Sequence, residues 1–436
     1  MQNASPKPKV LVIAEAANPE WVSVPLVGWS MYNALRDVAE VHLVTQVRNR
    51  EAILRAGLVE GEDFTSIDSE AVARPMWKLG NMLRMGKGKG WTTTTAINAV
   101  VYPYFERLIW KQFGARIRAG EFDIVHRVTP LTPTAPSSIA RRCAKAGVPF
   151  VMGPLNGGVP WPAGFDSERR REREWLSYVR GAYKALPGRT ATLKSASAIL
   201  TGSKFTQSEI PAQHQKKCVY LPENAVDMTR FTQAATQSGT LPLRACFIGR
   251  LVPYKGPDML IEAAAPLLAD GRLSLEFIGD GPMQDQLTAL VDTLGVAEAV
   301  TFHGWIDHKD IAQIASHCQL MTFPSIREFG GGVVLEAMAM GLVPVIVDYA
   351  GPGELLIEGT GYKVPIGSRE EIITAFRAQL EEILSNPEAL PGVAQTAQAY
   401  LASHFTWPAK AQQVREVYDW ALNRREDRPE PFGNAL

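Results

Sequence analysis

Cysteine is scarce in this chain, net charge is absent, and no apolar run is long enough to span a bilayer. Each shortage closes off a class of function. Only four cysteines occur among 436 residues, Cys143, Cys218, Cys246 and Cys318; they are far apart, form no CxxC pair and lie in apolar or helical contexts. They read as free thiols in a reducing cytoplasm. Lysine plus arginine number 45, as do aspartate plus glutamate, so no global field recruits nucleic acid or an anionic membrane. Any bound anion must be met by local groups. The polar start MQNASPKPK runs directly into VLVIAEAA, which is too short and wrongly flanked for the apolar segment of a signal peptide, and no run reaches the length of a membrane span. These absences predict a cytoplasmic protein with no nucleic-acid partner.

What is present is an ordinary globular composition, 46% hydrophobic and 21% charged, over a length that suits two domains better than one. Short β-branched or apolar runs alternate with longer amphipathic segments, the mark of a parallel sheet covered by helices. In the first half the strand candidates are Val10–Ala14, Val41–Thr45, Ile124–Val128, Phe150–Gly153 and Ala198–Thr201. In the second they are Arg244–Ile248, Ser274–Ile278, Val300–Phe302, Leu320–Phe323 and Val343–Val347. The expected architecture is α/β, two Rossmann-like doubly wound domains facing a central cleft, with ligands met at the carboxyl ends of the strands. The junction falls between Ser203 and Ser238, giving domains over 1–215 and 216–405. A last segment, 406–436, contains an amphipathic stretch, Trp407–Asn423, that packs back on the first domain.

Three strand ends carry candidate chemistry. Strand Arg244–Ile248 runs into GRLVPYKG (Gly249–Gly256) and then a helical pattern over Pro257–Ala269. A strand, a glycine turn, the two cations Arg250 and Lys255, and a helix opened by proline describe an anion site, although two surface charges would read the same. The next strands end in GDGP (Gly279–Pro282) and HGWI (His303–Ile306), turns that bring backbone close to a ligand or are simply turns. After Leu320–Phe323 comes IREFGGGVVLEAMAMG (Ile326–Gly341). Gly330, Gly331 and Gly332 let backbone approach a ligand without Cβ interference, and the helix that begins there offers N–H groups to an anion. Glu328 and Glu336 can accept hydrogen bonds from sugar hydroxyls. Alternatively, Glu336 serves the helix dipole and Glu328 is a loop charge, which leaves the triple glycine unexplained.

Taken in order, GRLVPYKG, GDGP, FHGWI, the E-x7-E pair, GLVPVIVDYAGPGELL (Gly341–Leu356) and PENAVDMTRF (Pro222–Phe231) resemble the retaining GT-B glycosyltransferases of family 4. The resemblance implies a transferase whose co-substrate is a nucleoside-diphosphate sugar and whose acceptor is a hydroxyl of a glycan, a lipid-linked or a small molecule. It gives Arg250 and Lys255 the diphosphate, Glu328 the sugar hydroxyls, Glu336 the ribose, and the Gly331–Val333 backbone the sugar and phosphate. Gly279, Gly281, His303 and Ile306 go to the base. It implies no bound metal, because cations and helix amides neutralise the diphosphate, and no acidic DxD follows a strand. On the acceptor side it marks His126, with a catalytic role, and Asn156, Gly157 and Gly158 in GPLNGGVPWP. No carboxylate nucleophile is evident, so a front-face displacement, in which the leaving phosphate helps deprotonate the acceptor, fits better than a double displacement.

The chain departs from the family in two places. The usual Gly-Gly loop after the first strand is replaced by AEAANPEWVSVPLVGWS (Ala14–Ser30), and the first motif glutamate is followed by Phe329 and Gly330 where glycine and then an aromatic are usual. The cationic stretch Arg74–Trp91, with its Trp and Met residues, suits a peripheral membrane contact or a solvated loop equally. The run ERRRER over 168–173 suits a solvated helix face. Rival readings are a sugar phosphorylase, a nucleotide-sugar epimerase, or a nucleotide-sugar-binding protein without turnover. Intact Arg250, Lys255, Glu328 and Glu336 argue against the last.

Overall fold

A computed structural model of the chain describes residues 6–75, 91–166, 187–231, 234–307 and 310–433. Residues 76–90 of the Arg74–Trp91 stretch, and the whole run 168–173, lie outside them. Among the described residues the chain divides into two compact units. One holds the residues up to Gly158, those from 187 to Glu223, and Trp407–Gly433; the other holds 159–166 and Asn224–Thr406. No described helix is long and apolar enough to cross a membrane.

The first unit is built on seven strands, β1 (Lys9–Ala14), β2 (Glu40–Gln46), β3 (Phe64–Ile67), β4 (Ile124–Thr129), β5 (Phe150–Leu155), β6 (Ala198–Thr201) and β7 (Cys218–Tyr220), in the order β3-β2-β1-β4-β5-β6-β7. All pairings are parallel. A parallel sheet is covered on both faces, which is why β1 reads as an unbroken apolar run. Its side chains then sort by the two-residue period. Val10, Val12 and Ala14 join Tyr32, Val414, Val417 and Tyr418 on one face, while Leu11 and Ile13 join Phe105, Ile109 and Phe113 on the other. The helix Trp407–Ala421 therefore belongs to the first unit despite its place at the end of the sequence. Strand β7 carries that unit to Glu223, past the boundary at 215/216 read from the sequence.

The second unit has six parallel strands, β8 (Leu243–Ile248), β9 (Leu273–Ile278), β10 (Val300–Gly304), β11 (Leu320–Phe323), β12 (Val343–Val347) and β13 (Tyr362–Val364), ordered β10-β9-β8-β11-β12-β13. The order reverses between β8 and β11. At such a point the loops leaving the two strands run in opposite directions and open a crevice at their carboxyl ends, where ligands of doubly wound sheets bind. The loop after β8 carries Arg250 and Lys255; the loop after β11 carries Glu328 and the glycines. Each unit is thus a doubly wound α/β sheet, as the sequence predicts. Of the four cysteines, all are buried and free.

Candidate functional site

At the switch point of the second unit, Lys255 and Glu328 meet. Lys255 Nζ donates to Glu328 Oε2 at 2.7 Å, with both side chains about three-quarters or more buried. Lys255 ends the short helical turn Pro253–Lys255, and its ammonium lies 4.9 Å from the Phe323 ring centroid at the end of β11. It also lies beneath the open side of Gly249. A cation held between an aromatic face and a carboxylate is fixed in place, so it can offer its remaining hydrogens to an anion without losing much further freedom. Arg250 is exposed in the same loop.

The helix Gly332–Ala339 begins directly beyond Glu328. Gly331, its N-cap, has φ 59°, in the left-handed region that glycine adopts without steric cost. A Cβ there would also meet Pro352 N and Leu355 Cδ1 at 3.0 Å. No side chain caps this helix start; Val334 N donates back to Gly331 O at 2.9 Å, and a helix start without a side-chain cap suits an anion. Glu336 is half-buried one turn into the helix. Asn224, within the PENAV motif but given no role from sequence, donates to Gly330 O at 2.9 Å and ties the glycine loop to the start of the unit.

Gly279 and Gly281 are explained by the protein's own backbone. A Cβ on Gly279, where φ is 136°, would stand 2.1 Å from Gly249 O, and one on Gly281 would stand 2.3 Å from Leu251 O. The loops after β8, β9 and β10 are laced together by Gly249 N to Ile278 O, Leu251 N to Asp280 O, and Gly279 N to Gly304 O, all between 2.8 and 2.9 Å. These two glycines therefore set the shape of the loop that carries Arg250 and Lys255. Gly279→Ala is expected to destabilise the second unit by on the order of 3 kcal/mol, from a strained φ and a backbone collision together. A thermal melt that leaves the transition unmoved contradicts this. His303 Nε2 lies 2.7 Å from Glu276 Oε2 on β9, and Ile306 is half-buried in the loop that follows.

In the first unit the acceptor-side residues fare differently. His126 is fully buried on β4. Its Nε2 lies 2.8 Å from Gly153 O and its Nδ1 2.7 Å from Tyr418 Oη. A carbonyl can only accept, so Nε2 carries the proton and Nδ1 accepts from the tyrosine hydroxyl. Both ring nitrogens are committed and no surface is left for an acceptor. His126 thus forms a polar pin between β4 and the helix Trp407–Ala421. Asn156 is also buried; its amide donates to Glu223 Oε1 at 2.6 Å and its carbonyl oxygen accepts from Gly157 N at 2.7 Å. Gly157 O accepts from Thr206, and Gly158 is half-buried at the end of the segment.

Burial holds His126 neutral, with its pKa depressed to about 4 from 6.5; the Gly153 hydrogen bond opposes the shift and the neighbouring Arg127 adds to it. Between those values the unfolded chain takes up a proton that the folded chain refuses, so stability falls as pH drops through the window. The window spans about 2.5 pH units, and at about 1.4 kcal/mol per unit the loss is on the order of 3 kcal/mol by pH 4. Urea unfolding from pH 7.5 to 4 should show this slope in the wild type and lack it in His126→Phe. Equal slopes in the two proteins contradict the assignment.

Among the described residues, no cluster of three or more His, Cys, Asp or Glu side chains could hold a metal ion. Residues 231–398 match the family Glycosyl transferases group 1, a region that includes Arg250, Lys255, Glu328 and Glu336 and excludes His126 and Asn156. Alpha-D-kanosaminyltransferase of Streptomyces kanamyceticus is 29% identical over 225 residues, 49% of this chain and 56% of that protein. Glycogen synthase of Mycobacterium tuberculosis H37Rv is 30% identical over 210 residues, 48% of this chain and 50% of that one. The chain thus aligns over about half the length of these curated relatives. In three dimensions it resembles Anabaena Alr3699/HepE, solved with UDP and glucose, with a TM-score of 0.57 at 17% identity over 95% of this chain and all of that one. At that identity the likeness establishes the fold: the two Rossmann-like units are those of the GT-B architecture.

Proposed function

We propose that the chain is a retaining glycosyltransferase that moves a sugar from a nucleoside-diphosphate sugar to a hydroxyl acceptor. The observation that carries this reading is the Lys255–Glu328 pair at the switch point of the second unit, 2.7 Å across and beside an uncapped helix start. A cation and an uncapped helix start suit a diphosphate, and a carboxylate within a few ångströms suits the hydroxyls of the sugar attached to it. Charge grows on the diphosphate as the glycosidic bond breaks, so groups fixed beforehand at that point stabilise the transition state more than the ground state. Arg250, in the same loop, adds a second positive charge, and Glu336 reaches the ribose. With cations and helix amides neutralising the leaving group, the reaction proceeds without a metal ion. The match of residues 231–398 to glycosyl transferases and the UDP-bound structural relative support the donor class.

The test is turnover of a panel of nucleotide sugars, starting with UDP-glucose, with and without EDTA, and with the anomeric configuration of the product read by NMR. Transfer with retention that is indifferent to EDTA supports the reading. A product of inverted configuration overturns the stereochemical part, loss of activity with EDTA overturns the metal-independent part, and phosphorolysis or epimerisation identifies a different enzyme on the same fold.

A further inference from the structure

Trp161 comes from the first half of the sequence, outside the region that matches the family, yet it belongs to the second unit. There it touches the immediate neighbours of both members of the Lys255–Glu328 pair. Its ring meets Tyr254 edge-on, with centroids 6.3 Å apart at 90°, and Arg327 lies over its face with the guanidinium carbon 4.9 Å from the centroid. Tyr254 precedes Lys255 in the chain; Arg327 precedes Glu328. Arg327 is 7% exposed and also lies 5.3 Å from the ring of Phe329, the residue after Glu328. The guanidinium therefore lies against two aromatic rings, Phe329 from its own loop and Trp161 from a distant segment.

The backbone locks the same pieces together. Tyr254 O accepts from Ile326 N at 2.9 Å and from Ser325 Oγ at 3.3 Å, joining the lysine loop to the glutamate loop. Tyr349 Oη donates to Pro160 O at 3.0 Å and holds the tryptophan segment beside the end of β12. Gly351 N donates to Glu328 O at 3.2 Å, and a Cβ on Gly351 would stand 2.2 Å from Phe329 O. Phe329, where the resemblance leads one to expect glycine, packs its ring against Arg327.

We infer that Trp161 and Phe329, acting through Arg327, position the Glu328 carboxylate against Lys255 and so set how the donor's sugar is presented. The inference rests on the transferase reading above. Trp161 and Arg327 are assigned as positioning residues, since their ring contacts bear on Tyr254 and Phe329, in the loops that carry Lys255 and Glu328. A misplacement of a carboxylate by a fraction of an ångström leaves the diphosphate contacts of Lys255 and the helix start largely intact, yet it removes alignment at the sugar. The effect should therefore fall on turnover and spare nucleotide binding. Arginine is needed for its flat, weakly hydrated guanidinium, which stacks on rings as an ammonium does not.

The experiment compares full-length wild type, Trp161→Leu, Trp161→Phe and Arg327→Lys, with UDP affinity measured by calorimetry and donor consumption measured with UDP-glucose or the best donor of the panel. Trp161→Leu and Arg327→Lys should each lose roughly tenfold or more in kcat while UDP affinity stays within about twofold. Trp161→Phe, which keeps an aromatic face, should recover most of the rate. Unchanged kcat in both Trp161→Leu and Arg327→Lys overturns the inference and leaves the transferase reading standing. So does a loss of UDP affinity equal to the loss in kcat, since that is the mark of general damage. If Trp161→Leu fails to fold, Arg327→Lys, which keeps the charge, decides alone. A wild type that consumes no nucleotide sugar overturns the transferase reading itself, and the inference with it.

Discussion

Replacing Lys255 with alanine should weaken nucleoside-diphosphate binding by roughly 10- to 100-fold. The estimate follows from one charge-assisted hydrogen bond, worth about 1.5–3 kcal/mol, at about 1.4 kcal/mol per tenfold change. Turnover should fall further, by on the order of 10²- to 10³-fold, because in the proposed reaction charge develops on the diphosphate that the ammonium would hold. Its preorganisation explains the larger figure. The ammonium is held 2.7 Å from Glu328 and 4.9 Å from the Phe323 centroid before any ligand arrives, so little reorganisation remains when the bond breaks. Folding should be nearly unaffected, since Glu328 is one-quarter exposed and can be hydrated when its partner is lost. Calorimetry with UDP reads the first effect; an unchanged affinity would remove Lys255 from the phosphate site.

Glu328→Gln should act with the opposite sign on binding. The amide keeps the shape of the carboxylate but gives up its charge, so Lys255 loses a competitor for its hydrogens. UDP affinity should hold or rise a few-fold. Turnover of the sugar nucleotide should nonetheless fall by about 100-fold, the scale of losing one charged acceptor that is aligned on the sugar in the transition state. A variant that binds the nucleotide better and works more slowly cannot be explained by general disruption. If UDP affinity and turnover instead fall together, Glu328 is a structural partner of Lys255 and has no separate role at the sugar.

The central strands were legible because each is buried on both faces and carries a continuous apolar run, as in β1, β8 and β12. The three strands that sequence patterning passes over, β3, β7 and β13, are all edge strands of three or four residues. An edge strand has one pairing partner and needs less apolar surface, so FTSI, CVY and YKV carry little signal. The helix Pro257–Ala269 and the Gly341 stop after the glycine-loop helix were legible from local residues alone, through proline at the start and a left-handed glycine, φ 79°, at the end.

The candidate site was legible only in part, for a reason of distance along the chain. Each loop announced itself locally, a strand followed by glycines and a charged residue. That Lys255 meets Glu328, 73 positions later, is a consequence of β8 and β11 being neighbours. The burial of His126 is hidden from the sequence for the same reason. Its partner Tyr418 is 292 residues away, and nothing near His126 in the sequence says that a terminal helix will cover it. The packing need for the GDGP glycines is equally silent in the sequence: the opposing loop would stand 2.1 Å from a Cβ on Gly279 and 2.3 Å from one on Gly281. Trp161 has no local signal at all, since its function depends on where three other segments arrive.

In the proposed reaction the second unit holds a nucleoside-diphosphate sugar between Lys255 and Glu328 and activates it for transfer. Nucleoside diphosphate released from a panel of nucleotide sugars, followed side by side for wild type and Lys255→Ala, tests it most directly. The wild type should release it from at least one donor, and the variant should do so at a rate lower by about 100-fold or more. Release at equal rates by both proteins, or no release from any donor by either, would contradict it.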